Sequence, residues 1–204
     1  MISQTFLNLK PEKKERIFNA AKKEFSRVPL EKALVSNIIR DSGIPRGSFY
    51  QYFENIDDLF VYIIDTMYKE SLSRFRVSME NEKLNYFDAC KEEFYRVLTI
   101  LENGENRQFN MNIYMSFVNS SLKNSKLIEE MNQLRIKEES DSIPSEIKNL
   151  PNSKIFLGLI EMANITCLNE FILKGRSKEE VFSEYENYLD YIKMAIVKTN
   201  KLCS

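Results

Sequence analysis

Histidine is absent from the 204 residues, and with it go imidazole general-base catalysis, the Ser-His-Asp arrangement and histidine metal sites. Few enzyme classes remain open. Cysteine is scarce: Cys90, Cys167 and Cys203 are odd in number and far apart, so neither a disulfide framework nor a CxxC metal or redox motif can be drawn. That usage fits a reducing cytoplasm. Glycine and proline number only five each, and the long stretches between them favour a mostly helical chain broken at a few places. The N-terminus lacks the apolar core of a signal peptide, and the most apolar run, IFLGLIEMANI from Ile155, contains Glu161 and is too short to span a bilayer. The expectation is a cytoplasmic protein, neither exported nor anchored, with no membrane partner. The chain has no internal repeat and no low-complexity tract.

What is present is an ordinary globular composition, 43% hydrophobic and 29% charged, enough to bury a core in one large domain or two small ones. The net charge of −1 conceals an asymmetry. Residues 1–53 hold ten Lys/Arg against five Asp/Glu, and the remainder nineteen against twenty-five. A basic segment carried on an acidic body suggests a polyanion-binding module joined to something else, although such runs are also found as solvated faces.

The pattern PEKKERIFNAAKKEFS from Pro11 predicts an amphipathic helix with Ile17, Ala20, Ala21 and Phe25 on one side. Pro29 stops it. LVSNIIRDSG predicts a short second helix with Val35, Ile38 and Ile39 inward, ending at Gly43, and a third helix can start at Pro45. Two short helices around a glycine-containing turn, behind a longer covering helix, make a helix-turn-helix pattern. On the third helix Phe49 and Phe53 face the core, whereas Arg46 and Tyr50 project from another face.

Asn55 reads as the N-cap of a long fourth helix through Leu59, Ile63 and Met67 to about Met79. Helices are expected near 84–102, closed by Gly104, near 107–120 and near 125–140, with DSIPSEIKNLP as a loop. An apolar helix from Asn152 is capped by Gly175; Glu161 and Glu170 on it either meet a cationic ligand or occupy an exposed stripe. Ser177 and Glu180 form a capping box for the last helix. Val181, Tyr185, Tyr188 and Ile192 recur there as a seam that would pair with a second copy in a four-helix bundle.

The stretches RIFNAAKKEF and IIRDSGIPRGSFYQYFENIDDLF, within residues 12–60, resemble the tetracycline-repressor (TetR/AcrR) family of bacterial transcriptional regulators. The resemblance implies an all-α fold: a three-helix helix-turn-helix DNA-binding domain at residues 1–54, then a helical ligand-binding and dimerisation domain at 55–204. It implies a homodimer that represses from a palindromic double-stranded operator and is released by a small hydrophobic or amphipathic effector. On the matching positions it places Arg46 and Gly47 at base edges, with Ser48 and Gln51 as further contacts. Tyr50 and Tyr52, with Val35 and Ser36, fall at phosphate-contacting positions. The family's usual lysine is replaced by Ile56, and its usual Gly-Tyr after the first helix by Val28-Pro29-Leu30.

Physical chemistry agrees with these roles, since arginine pairs bidentately with guanine and a tyrosine hydroxyl donates to phosphate without reading sequence. The alternatives stand beside them: the tyrosines as packing aromatics, Arg46 as a solvated charge. For an effector pocket the candidates are Met111, Tyr114, Met115 and Phe117, with Phe94, Met162 and Cys167; methionine and aromatic residues line adaptable pockets, and they also form plain cores. No cofactor or metal is implied, and the reading is of a regulator rather than an enzyme. The competing reading is an all-α lipid- or small-molecule-binding module or enzyme whose N-terminal helices are only structural.

Overall fold

The computed structural model describes residues 2–81, 84–104, 106–121, 143, 145–150 and 152–202. Among them the regular structure is entirely helical, as expected. The helices are α1 (Gln4–Leu7), α2 (Pro11–Arg27), α3 (Val35–Ser42), α4 (Arg46–Tyr52), α5 (Ile56–Asn81), α6 (Tyr86–Asn103), α7 (Arg107–Ser121), α8 (Ser145–Lys148), α9 (Ser153–Lys174) and α10 (Lys178–Leu202). A 3₁₀ turn, Leu30–Lys32, follows α2. The helix expected near 125–140 lies outside the described residues, and the segment expected as a loop before α9 contains the single turn α8.

Local chemistry explains the ends of these helices. Pro11 opens α2 at the first turn, where its missing N–H costs nothing. Asn55 Oδ1 accepts from the Asp58 N–H at 3.0 Å, and Asp58 Oδ2 reaches back to the Glu54 N–H at 2.9 Å, so the start of α5 is capped reciprocally. The box before α10 has the same form: Ser177 Oγ accepts from the Glu180 N–H and Glu180 Oε2 from the Ser177 N–H, both at 3.3 Å. Gly43 and Gly175 end α3 and α9 at φ 67°, a left-handed conformation that a side chain would strain.

Two compact units result: residues 1–69 with 105–136, and residues 70–104 with 137–204. The first has a core of Phe6, Ile17, Phe25, Ile38, Phe49, Phe53, Leu59, Phe60 and Ile63, to which α7 adds Phe109 and Ile113. The second packs α9, α10 and α6 around Phe94, Leu98, Phe156, Ile160, Cys167, Val181, Tyr185 and Leu189. Each fully buried Leu, Ile or Phe contributes about 1.5–3 kcal/mol by leaving water. The helix α5 supplies residues to both units.

The 22 residues of α9 are long and apolar enough to cross a membrane by length and composition, which corrects the expectation of too short a run. The apolar run from Ile155 is only the first part of a helix that continues through Thr166–Lys174. In the fold its row Phe156, Ile160, Ala163 and Cys167 packs into the second core.

Candidate nucleic-acid interface

The helices α2, α3 and α4 carry the basic segment. Ile38 and Ile44 from α3 and the turn, with Phe49 and Phe53 from α4 and its end, are buried in one core. That anchoring leaves the opposite side of α4 outward: Arg46, Gly47, Tyr50 and Gln51 are exposed, and Ser48 is half-buried. The Arg46 guanidinium lies 5.5 Å from the Tyr50 ring centroid and donates to the Tyr50 hydroxyl at 3.5 Å. The pair one helical turn apart thus pre-orders an exposed cation beside a phenol. A Cβ added at Gly47 would meet nothing within 4 Å, so this part of α4 presents bare backbone to an approaching surface.

On α3, Ser36 is exposed and Val35 is half-buried against the core. Leu34, the residue preceding the helix, brings no side-chain cap to the first N–H groups of α3.

Tyr52 does not sit as expected for an open phosphate contact. It is 4% exposed, its ring 5.9 Å from that of Phe6 and 6.3 Å from that of Phe53, with Lys13 Nζ 5.4 Å from its centroid. The reason is helical spacing: position 52 lies three residues beyond Phe49 and shares its inward side. For Tyr52 the packing alternative describes the ring.

The residue that sequence reading missed here is Glu24. Its carboxylate is buried and accepts from Arg27 Nη2 at 2.7 Å and Nε at 3.1 Å, from the Leu34 N–H at 2.8 Å and from Asn37 Nδ2 at 3.0 Å. Burial pushes this carboxyl upward, but the hydrogen bonds from Arg27, Leu34 and Asn37 outweigh it and hold the group below its ordinary value. One carboxylate therefore ties the end of α2 to the start of α3. A signal existed: position 24 falls on the Ile17, Ala20, Ala21 and Phe25 face, where a charge needs a partner.

The effector candidates are divided between the units. Met111, Tyr114 and Met115 are half-buried on α7 in the first, where burial pushes the Tyr114 phenol up to about 12; the Phe117 side chain lies outside the described residues. In the second, Phe94 stacks on Tyr185 at 3.9 Å and Cys167 is fully buried. Met162 is 64% exposed and lines no interior, because it projects from α9 on the side away from Ala163 and Cys167.

The expected dimer seam also needs correction. Val181, Tyr185 and Ile192 are buried against α6 and α9 of their own unit, and of the four only Tyr188 reaches the surface, at 39% exposure. An apolar helix in a compact unit satisfies its own core first. The outward apolar positions are instead Ile155, Leu159, Met162, Ile165 and Leu173 on α9, and Tyr188, Tyr191, Met194 and Val197 on α10.

Residues 17–63 match the family model of bacterial regulatory proteins of the tetR family. The chain carries the N-terminal segment of the TetR family. That TetR segment runs from Ile17 on α2 to Ile63 on α5 and so contains the whole outward row of α4. The chain is similar to the uncharacterized HTH-type transcriptional regulator YfiR of Bacillus subtilis (strain 168), 28% identical over 126 residues, which is 53% of this chain and 62% of YfiR. The match thus spans less than two thirds of that relative. A TetR transcriptional regulator from Rhodococcus sp. RHA1 shares the fold at a TM-score of 0.63 and 15% identity, over 90% of this chain and 98% of that one. The multidrug binding protein EbrR, complexed with ethidium, shares it at 0.55 and 15%, over 88% and 99%.

Proposed function

We propose that the protein is a cytoplasmic DNA-binding transcriptional regulator, a repressor released from a palindromic operator by a small hydrophobic or amphipathic effector. The observation that carries this reading is the outward row Arg46, Gly47, Tyr50 and Gln51 on α4, held by the inward Phe49 and Phe53 behind the left-handed turn at Gly43. A short helix anchored on one face and offering arginine and hydrogen-bonding groups on the other suits the major groove. Arg46 and Gly47 are assigned to base edges, Ser48 and Gln51 to further contacts, and Tyr50 with Ser36 and the Val35 backbone to phosphates. Residues 1–54 then do the reading, and residues 55–204 the sensing and pairing.

The protein acts as a homodimer on two half-sites, paired through the outward apolar positions of α9 and α10. The effector class is supported by the similarity of fold to EbrR, a protein that binds ethidium, and by the methionine and aromatic side chains of α7 and the second unit. Signal passes along α5, which supplies residues to both units.

Titration of the protein against duplex DNA by fluorescence anisotropy at two salt concentrations tests the reading. Binding should weaken steeply with salt, by a slope of about −0.9 per phosphate neutralised. Absence of binding, or binding indifferent to salt, would count against a DNA-binding role.

A further inference from the structure

Residues 2–9 precede the segment that matches the family model, yet they pack on the end of the reading helix. Phe6 is fully buried. Its ring lies 4.7 Å from that of Phe53, 5.9 Å from that of Tyr52 and 4.9 Å, edge-on, from that of Tyr62. The Ser3 N–H donates to the Tyr52 carbonyl at 3.0 Å, one of the final carbonyls of α4 that the helix itself cannot satisfy. Two further bonds hold the segment in shape: Ser3 Oγ accepts from the Phe6 N–H at 3.2 Å, and Lys14 Nζ donates to the Leu7 carbonyl at 2.7 Å.

The helix so held is seven residues long and has no side-chain cap before it. A helix of that length does not persist on its own propensity, so its pose depends on what grips its ends.

We propose that residues 2–9 brace α4, with Phe6 the positioning residue for base reading. The proposal rests on the reading of α4 as the helix that meets the bases. Hydrogen bonds to base edges demand close placement of Arg46, whereas the phosphate contacts assigned to Ser36 and the Val35 backbone on α3, and to Tyr50 on α4, carry no sequence information. Loosening the brace therefore removes discrimination more than it removes overall affinity.

The experiment takes a duplex enriched by the wild-type chain from a random-sequence pool, and a scrambled duplex of equal composition, and measures binding of wild type, Phe6→Ala and Phe6→Leu well below their melting temperatures. For Phe6→Ala the enriched-to-scrambled affinity ratio should fall by about tenfold, the size of one base contact. Affinity for the scrambled duplex should stay within about twofold, because phosphates carry it. Phe6→Leu, which keeps part of the buried apolar bulk and loses the ring contacts, should give an intermediate ratio. If Phe6→Ala does not fold, the Phe6→Leu ratio decides alone. An unchanged ratio in a folded variant, or an equal loss on both duplexes, overturns the brace. A wild type that enriches no sequence overturns base reading by α4 itself, an outcome separate from either.

Discussion

The Ser116 hydroxyl on α7 accepts a hydrogen bond from the Leu30 backbone N–H at 2.9 Å, across 86 residues of chain. Ser116 is fully buried. One turn earlier on the same helix, Asn112 Nδ2 donates to the Phe25 carbonyl at 2.7 Å and to the Ser26 carbonyl at 3.1 Å. The end of α2 and the connection Val28-Pro29-Leu30 that follows it thus take side-chain partners for three of their backbone groups from α7. A buried backbone group must find a partner somewhere, and here side chains supply them.

Replacing Ser116 with Ala should strand the Leu30 N–H in a buried position and cost about 1–3 kcal/mol of stability. Urea denaturation followed by circular dichroism would read this as a lower midpoint with an unchanged slope. A midpoint equal to wild type would mean that water reaches the Leu30 N–H.

Glu24→Gln should lower stability by about 1–3 kcal/mol at neutral pH, because a charge-assisted network becomes a neutral and partly mismatched one. The wild-type carboxyl lies below its ordinary value in the fold. Its contribution is therefore fully present above the unfolded value of about 4.3 and is lost as pH falls through the folded one. The gap between wild type and variant should shrink below about pH 4. A gap that stays constant down to pH 3 would contradict an ionised Glu24.

Arg46→Ala should cost about 1–3 kcal/mol on a preferred duplex and relax preference at one base pair of each half-site. Tyr50→Phe should weaken preferred and scrambled duplexes alike, as loss of a phosphate contact does. Equal affinities of the Arg46 variant and wild type for both duplexes would remove Arg46 from the reading row.

For self-association, Met162→Glu combined with Tyr191→Glu should give a folded monomer, since both side chains are outward, Tyr191 at 72% exposure. Val181→Glu should instead unfold the second unit by placing an unpaired charge in its core. Light scattering with circular dichroism separates the two effects. A double variant that still elutes as the wild-type species would place the pairing surface elsewhere.

Thiol chemistry offers a further check on the second core. Desolvation pushes the thiol of the half-buried Cys90 up to about 12 and that of the fully buried Cys167 up to about 11. Neither should form thiolate at pH 8, so both peptides should stay unalkylated by iodoacetamide in the native protein and react in urea. Rapid native labelling of either would indicate an opening of that core.

Much of the fold was legible because local chemistry marks helix ends. The N-cap at Asn55, the capping box at Ser177, the left-handed Gly43 and Gly175, and the face Ile17, Ala20, Ala21 and Phe25 are consequences of residues a few positions apart, which a linear reading captures. The outward side of α4 was legible for the same reason, since Phe49 and Phe53 turn inward and Arg46 and Tyr50 cannot follow them.

Long-range choices were not legible. Helical spacing says that Val181, Tyr185 and Ile192 share a face; it does not say whether that face meets a second copy or the chain's own α6 and α9, and the fold chose the latter. It puts Tyr52 on the inward side with Phe49, but only the arrival of Phe6 from the start of the chain encloses its ring. The partners of Glu24, Leu30 and Phe25 come from ten to about ninety positions away. The sequence by itself determined helix, turn and exposed row, because those depend on spacing within one or two turns. Which buried polar groups find one another, and which apolar faces remain outward, was decided only when separate helices competed for the same interior.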